Sequence, residues 1–437
     1  MTRALPGLAC ALVLGAAAVT AAAAPTAIVG ATILTARGDT VIEGGTLIFD
    51  SGRITAVGKG LAVPPGASVI DAKGRTLTPG IIAAASDLGI SEVSGVRETD
   101  DGTARQSPFS AALDVSTAIN PRSLHIAISR MAGVTRAAAI PDAGNSLFAG
   151  QGAVISLAAS GNTVTRARAF QYMEMGENGA RLAGGSRPAA WALLANMLAE
   201  AQRLAVSPAT FDRGQDTGSL SKRLDAEALV QVIDGRQALF VHADRASDIS
   251  EVLKLKTRFP AMRPVLIGAR EAWLVAADIA RAGVPVITHS LFDLPDDFET
   301  LASTRNNIGH LQAAGVTVAI GALGGIGGTT PVNLPTYAGN AAAQALVPGG
   351  KGLTRGQALA SITANPARIL GLADTGTLEV GKRADLVLWD GDPLELTSAP
   401  VAVWIDGAAQ PMTSRQTELA QRYKALGRTD LPLQYPR

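Results

Sequence analysis

Cysteine is almost missing: Cys10 is the single one in 437 residues. A disulfide framework and a cysteine-based metal site are therefore excluded. Histidine is scarce as well, with His125, His242, His289 and His310 alone available for metal or proton chemistry. Neither sign of charge prevails, since 38 Lys and Arg stand against 37 Asp and Glu, and no basic face of the kind that tracks phosphates is implied. No nucleic-acid partner is expected. Charged residues make up 17% of the sequence and apolar ones 47%, which excludes a disordered interaction protein. Aromatics are sparse at 4% while glycines number 47, a composition suited to a packed α/β protein rich in tight turns.

What is present begins with a leader-like stretch. Met1–Arg3 is a short basic start, Ala4–Thr20 is apolar, and Ala21–Ala24 supplies small residues for cleavage, so residues 1–24 read as a secretory signal peptide. The expected location is exported, a periplasm, with no membrane span after signal cleavage. Residues 25–78 break into short β runs such as Ala27–Val29, Thr46–Phe49 and Arg53–Val57, parted by Gly30, Gly44-Gly45 and Ser51-Gly52. The same texture returns in residues 373–412, with Ala384–Trp389 and Val401–Ile405. The two ends are expected to fold together as a small composite β-sandwich. Between them, residues 79–372 alternate apolar strands with amphipathic helices, as where Ala238–Val241 precedes Ala246–Phe259 and Val265–Ile267 precedes Glu271–Ala282. That alternation fits a (β/α)8 TIM barrel. Residues 413–437 read as a polar helical tail.

Several segments carry a resemblance. They are Thr363-Ala364-Asn365-Pro366-Ala367-Arg368-Ile369-Leu370-Gly371, then Gly376-Thr377-Leu378-Glu379-Val380-Gly381-Lys382-Arg383-Ala384-Asp385, and Asp71–Arg75 running into Leu77-Thr78-Pro79-Gly80-Ile81-Ile82. With Gly150-Gln151-Gly152 and Gly176-Glu177-Asn178, they make residues 26–412 resemble the metal-dependent amidohydrolase superfamily, in particular its imidazolonepropionase-like exported branch. The resemblance implies metal ligands at the C-terminal ends of the barrel strands, where the ion polarises a carbonyl and generates hydroxide. It places a His-x-His after the first strand and a carboxylated lysine or a glutamate on the fourth. Single histidines follow on the fifth and sixth strands, and an aspartate on the eighth.

Most of those positions hold no ligand in this sequence. The His-x-His pattern falls on Ala85-Ser86-Asp87, which leaves Asp87 as an oxygen donor. Gly268 stands at the sixth-strand position and Leu323 at the eighth. His242, closing Leu239-Phe240-Val241, takes the fifth-strand position, although a lone histidine after an apolar strand also reads as a structural residue. Glu177 and Glu271 are the acids that the resemblance brings toward the mouth, Glu271 reading equally as a helix N-terminal charge. Arg181 and Arg187 are readable as binders of an acidic group or as solvated side chains. His289 follows the seventh strand, and His125 and His310 fall in helices on the barrel exterior. The run Gly324-Gly325-Ile326-Gly327-Gly328 lacks the lysine that follows a phosphate-binding loop.

Two functions stay open on this reading. The first is a degenerate amidohydrolase with no cofactor of its own, a non-catalytic partner or binding protein that forms a homodimer or a heterodimer with a metal-complete amidohydrolase. The second is a hydrolase of C–N bonds in a small amide or peptide ligand. It would use one divalent metal such as zinc on Asp87 and His242, with His242 and Glu177 as catalytic candidates. Losing several ligands at once forfeits most of a metal centre's rate enhancement, which favours the first.

Overall fold

Gly30 decides how the first strand is used. The computed structural model describes residues 24–93, 95–209, 220–322 and 331–424; the leader, Leu323 with its glycine-rich loop, and the end of the tail lie outside them. Strand β1 (Thr26–Leu34) pairs antiparallel with β2 (Val41–Asp50), which pairs in turn with β3 (Arg53–Gly58). On its other edge the first half of β1 runs parallel to β4 (Ser68–Asp71) and the second half to β5 (Thr76–Pro79). The switch falls at Gly30, whose φ of +80° is a conformation that side chains with a Cβ rarely adopt.

Gly80 joins this sheet to the barrel. A Cβ there would lie 2.2 Å from Thr135 Oγ1, so glycine lets β6 (Ile81–Ser86) enter alongside β7 (Val134–Ala139). The barrel continues in chain order through β8 (Phe148–Ser156), β9 (Val164–Glu174), β10 (Ala238–Ala243), β11 (Pro264–Gly268), β12 (Val286–Thr288) and β13 (Val318–Ile320). This is the expected eight-stranded barrel, wrapped by helices such as Arg187–Val206 and Ala246–Arg258. One strand departs from the all-parallel pattern: β8 runs antiparallel to both β7 and β9. A parallel return needs a crossover of about a dozen residues or more, and segments 140–147 and 157–163 are too short for one. Inward side chains fill the barrel. Phe170 and Phe240 stack there with ring centroids 4.1 Å apart, and a Cβ on Gly152 would meet the Phe170 ring at 2.1 Å. Outward side chains of the same strands, Leu239, Val241 and Leu266, pack under Leu194, Leu198, Ile249 and Val252 of the helices.

The seam between β13 and β6 is bridged by the Thr363-Ala364-Asn365 segment. The Ile82 amide donates to the Ile362 carbonyl at 2.9 Å, and the Asn365 side-chain amide donates to the Val318 carbonyl at 2.8 Å. The chain then returns to the first sheet as β14 (Leu386–Trp389), β15 (Pro400–Ile405) and β16 (Ala408–Ala409). The order becomes β16-β15-β14-β5-β1-β2-β3. Phe49 of β2 nevertheless meets Trp404 of β15 edge to face at 6.3 Å, so the sheet folds over a core that includes Ile33, Leu47, Leu77 and Leu386. Sheet and barrel are tied by a buried ion pair. Arg136 of β7 donates to both oxygens of Asp385, at 2.7 and 3.2 Å, and to Asp406 at 2.9 Å. Helix Arg415–Lys424 occupies the start of the expected tail. No helix among the described residues is long and apolar enough to cross a membrane.

Candidate functional site in the barrel mouth

Side chains alternate along a strand, so β9 sends Phe170, Tyr172 and Glu174 inward while Met173 faces the helices. Strand β10 does the same with Phe240 and His242. The two strands run parallel with Phe240 beside Tyr172 and His242 beside Glu174. Glu174 thus ends the fourth barrel strand, the position for which the resemblance calls for a lysine or glutamate, and His242 stands next to it near the end of the fifth.

These side chains form a row of alternating charge across the mouth. Tyr172 donates its hydroxyl to Glu174 Oε1 at 2.7 Å, and His242 Nδ1 lies 2.9 Å from Glu174 Oε2. On the other side of the ring, His242 Nε2 is 3.5 Å from Asp244 Oδ2. Asp244 accepts the Arg270 amide at 3.1 Å, and the Arg270 guanidinium reaches Asp296 at 2.5 Å while lying 3.8 Å above the Phe292 ring. Burial opposes a charged imidazole, but the carboxylates of Glu174 and Asp244 outweigh it and raise His242 to about 10. Both ring nitrogens therefore carry protons at neutral pH. Burial likewise pushes Glu174 up, but the charge of His242 and hydrogen bonds from His242, Tyr172 and Asn178 hold it below its ordinary value. Burial, together with the Glu174 charge, keeps the Tyr172 hydroxyl protonated well above its usual range.

Gly268, at the end of the sixth barrel strand, faces this row. Its φ is +80°, and a Cβ would lie 2.6 Å from Asp244 Oδ1 and 2.8 Å from His242 Nε2. The space of a sixth-strand ligand is filled by the neighbours' polar atoms. Ala85 is buried among the apolar residues inside the barrel. Asp87 follows β6 half-buried, its main-chain oxygen accepting the Ile90 and Ser91 amides, and it is not among the groups bonded to His242. Among the described residues, no three His, Cys, Asp or Glu gather into a group that could hold a metal ion. Leu323 lies outside the described residues.

The other acids and bases rim the mouth. Glu177 is exposed at the start of helix Gly176–Leu182, where its amide donates to Glu299 at 2.7 Å. Glu271 accepts the amides of Ala246 and Ala302, so it caps the helix that follows β10 and holds the loop after β12. Arg187 is bound on two sides, to Asp248 and Glu299, both at 2.8 Å. Arg181 bonds Asn178 at 2.6 Å. His289 accepts the Leu291 amide at Nδ1 and packs against Tyr337; burial and the nearby Arg270 charge lower it to about 4, so it stays neutral. His125 bonds the Glu92 carbonyl and His310 lies on Trp273, both outside the barrel. Glu174, Tyr172, Asp244 and Arg270 are the site residues that sequence reading passed over. The signal for the first two was the period of two in Phe170-Gln171-Tyr172-Met173-Glu174.

Comparison with known proteins follows the same lines. The model of the amidohydrolase family matches residues 150–409. Amidohydrolase tasK of Hapsidospora irregularis is 27% identical over 385 residues, covering 80% of this chain and 38% of that protein. Imidazolonepropionase of Maricaulis maris is 36% identical over 152 residues, covering 34% of this chain and 35% of that protein. The matches thus span little more than a third of these two relatives' lengths. An amidohydrolase structure from Thermotoga maritima superposes with a TM-score of 0.77 at 24% identity, over 88% of this chain and 99% of that one, a likeness of fold.

Proposed function

This chain belongs to the amidohydrolase family, and we infer that it is a member in which an ion-paired imidazolium replaces the metal centre, so that it serves as an exported, non-catalytic partner or binding protein. One observation carries the reading: a Cβ at Gly268 would meet Asp244 and His242 within 3 Å, so the sixth-strand ligand is gone and its space is used. The residues present do not fit the family's metal set. Ala85 has no lone pair, and His242 is bonded through Nδ1 to Glu174 while its Nε2 lies 3.5 Å from Asp244. A partner finds a ready surface on the loop after β12, which leaves Leu294, Phe298 and Leu301 largely exposed beside the mouth. That partner is a second copy of this chain or a metal-complete amidohydrolase.

The second reading, hydrolysis of C–N bonds in a small amide or dipeptide by a single divalent metal such as zinc, draws on Glu174 beside His242. It requires His242 to shed a proton and leave Asp244. Elemental analysis of the purified protein, with a dipeptide and lactam panel, separates the two. The first reading expects well under one equivalent of metal and no turnover. A dialysis-resistant stoichiometric metal that disappears in His242→Ala overturns it. Sedimentation and pull-downs test the partner: a stable dimer or a recovered homologue supports it, and a solitary monomer at micromolar concentration does not.

A further inference from the structure

We propose that the N-terminal face of the barrel, opposite the mouth, binds an amphipathic anion: an acidic head on a hydrocarbon body. The proposal is independent of what the mouth does. A cavity of about 320 Å³ opens where β10, β11, β12 and β13 begin, within the size range of small-molecule sites. Its floor is apolar, with Met262, Val265, Val284 and Val316 each 1–4% exposed. Three cations line it, Lys256, Arg263 and Arg368, and no carboxylate does.

Part of that positive charge has a structural use. Lys256 donates to the Ala282 carbonyl at 2.6 Å, and Arg263 to the carbonyls of Gly235 and Arg236 at 2.8 and 3.0 Å. Ala282 ends helix Ala276–Ala282, and Gly235 and Arg236 follow the end of helix Arg223–Ile233, where cations offset the helix dipole. The magnitudes do not balance. Four helices end at the cavity, Ala246–Arg258, Ala276–Ala282, Asn307–Ala313 and Ala364–Ile369, and supply about half a negative charge each against three full positive charges, so a surplus of about one remains around it. Lys256 keeps two of its three donors free of these bonds, and Arg263 keeps three of five. The chain as a whole is close to neutral, so the surplus is local. A small inorganic ion would satisfy the cations and leave the floor wet, whereas an apolar ligand would dry the floor and leave the cations unmatched. An anionic head on a hydrocarbon body does both.

Octanoate is the probe. Calorimetric titration of the whole mature protein, below the micellar range and at low salt, is expected to show one site per chain. Octan-1-ol and octylammonium should bind at least tenfold more weakly, and acetate likewise. Arg368→Gln changes an exposed side chain and should weaken octanoate at least tenfold with the melting temperature unchanged. Lys256→Gln should weaken it too, although it also removes a helix cap. Absence of octanoate binding, octanol binding as tightly as octanoate, or unchanged octanoate binding in Arg368→Gln would each overturn the proposal.

Discussion

Gly268→Ala is the smallest change that asks whether the mouth has room for a sixth-strand side chain. Two costs add. The backbone at φ +80° is left-handed, which costs a residue with a Cβ about 1–2 kcal/mol. The new methyl would lie 2.6 Å from Asp244 Oδ1 and 2.8 Å from His242 Nε2, so Asp244 must move. Moving it loosens the Arg270 amide bond at 3.1 Å and the contact to His242 at 3.5 Å. A weakened hydrogen bond to a charged acceptor costs about 1.5–3 kcal/mol. The expected loss is therefore about 2.5–5 kcal/mol, measured by urea unfolding at neutral pH. A double-mutant cycle isolates the clash. Asp244→Ala removes the obstructing carboxylate, so the double variant should be less destabilised than the sum of the singles by about 1.5–3 kcal/mol. A single variant within about 0.5 kcal/mol of the parent, or a strictly additive cycle, would refute the argument that the ligand space is occupied. The same geometry predicts that Gly268→His alone restores no metal site.

Much of the fold was legible because local and global signals agreed. The β runs before Thr78 and after Ala384 share the same short-strand texture, and they pair directly: β5 lies against β14 with Thr78 beside Val387. The reversed β8 was not legible. Its strand character is evident from Ala153-Val154-Ile155, but direction is set by connection length, and a pattern of strands and helices does not display where a helix is missing. Asn365 shows the opposite case. It stood out as part of a motif, and its use as the clasp between β13 and β6 became visible only when the seam was assembled.

The site was half legible for a physical reason. His242 stands on an apolar strand where a polar residue must be explained, so it draws notice by itself. Glu174 lies three residues before Glu177, and the resemblance pointed to the acid beside glycine. Strand alternation decides otherwise, because Glu174 shares the inward face of Phe170 and Tyr172 while Glu177 begins an exposed helical turn. Asp244 and Arg270 matter through each other, through His242 and through the absent side chain at Gly268. A void that two distant segments share leaves no mark in either segment's residues.

Three further outcomes are expected. Asp385→Ala strands the buried Arg136 with Asp406 alone and should cost about 3–5 kcal/mol, read by unfolding of sheet and barrel together; a loss near zero would show the ion pair to be idle. His242, raised from 6.5 to about 10, contributes stability that is complete below the unfolded value and lost as pH climbs toward 10. His289, lowered to about 4, contributes stability present above 6.5 and lost as pH falls toward 4. Melting temperature should therefore fall on both sides of neutrality, and Asp244→Asn should make the alkaline fall smaller and complete it at lower pH; an unmoved alkaline limb would contradict the His242 assignment. Asn365→Ala should open the barrel seam, because the Val318 carbonyl loses its donor at a cost of about 1–3 kcal/mol and the neighbouring Ile82–Ile362 bond loses its brace. Hydrogen exchange at the Ile82 amide should then rise ahead of exchange in β9 and β10, which sit on the far side of the barrel and keep both neighbouring strands. Uniform acceleration across all strands would mean that the seam opens only with global unfolding, and the clasp would carry no local role.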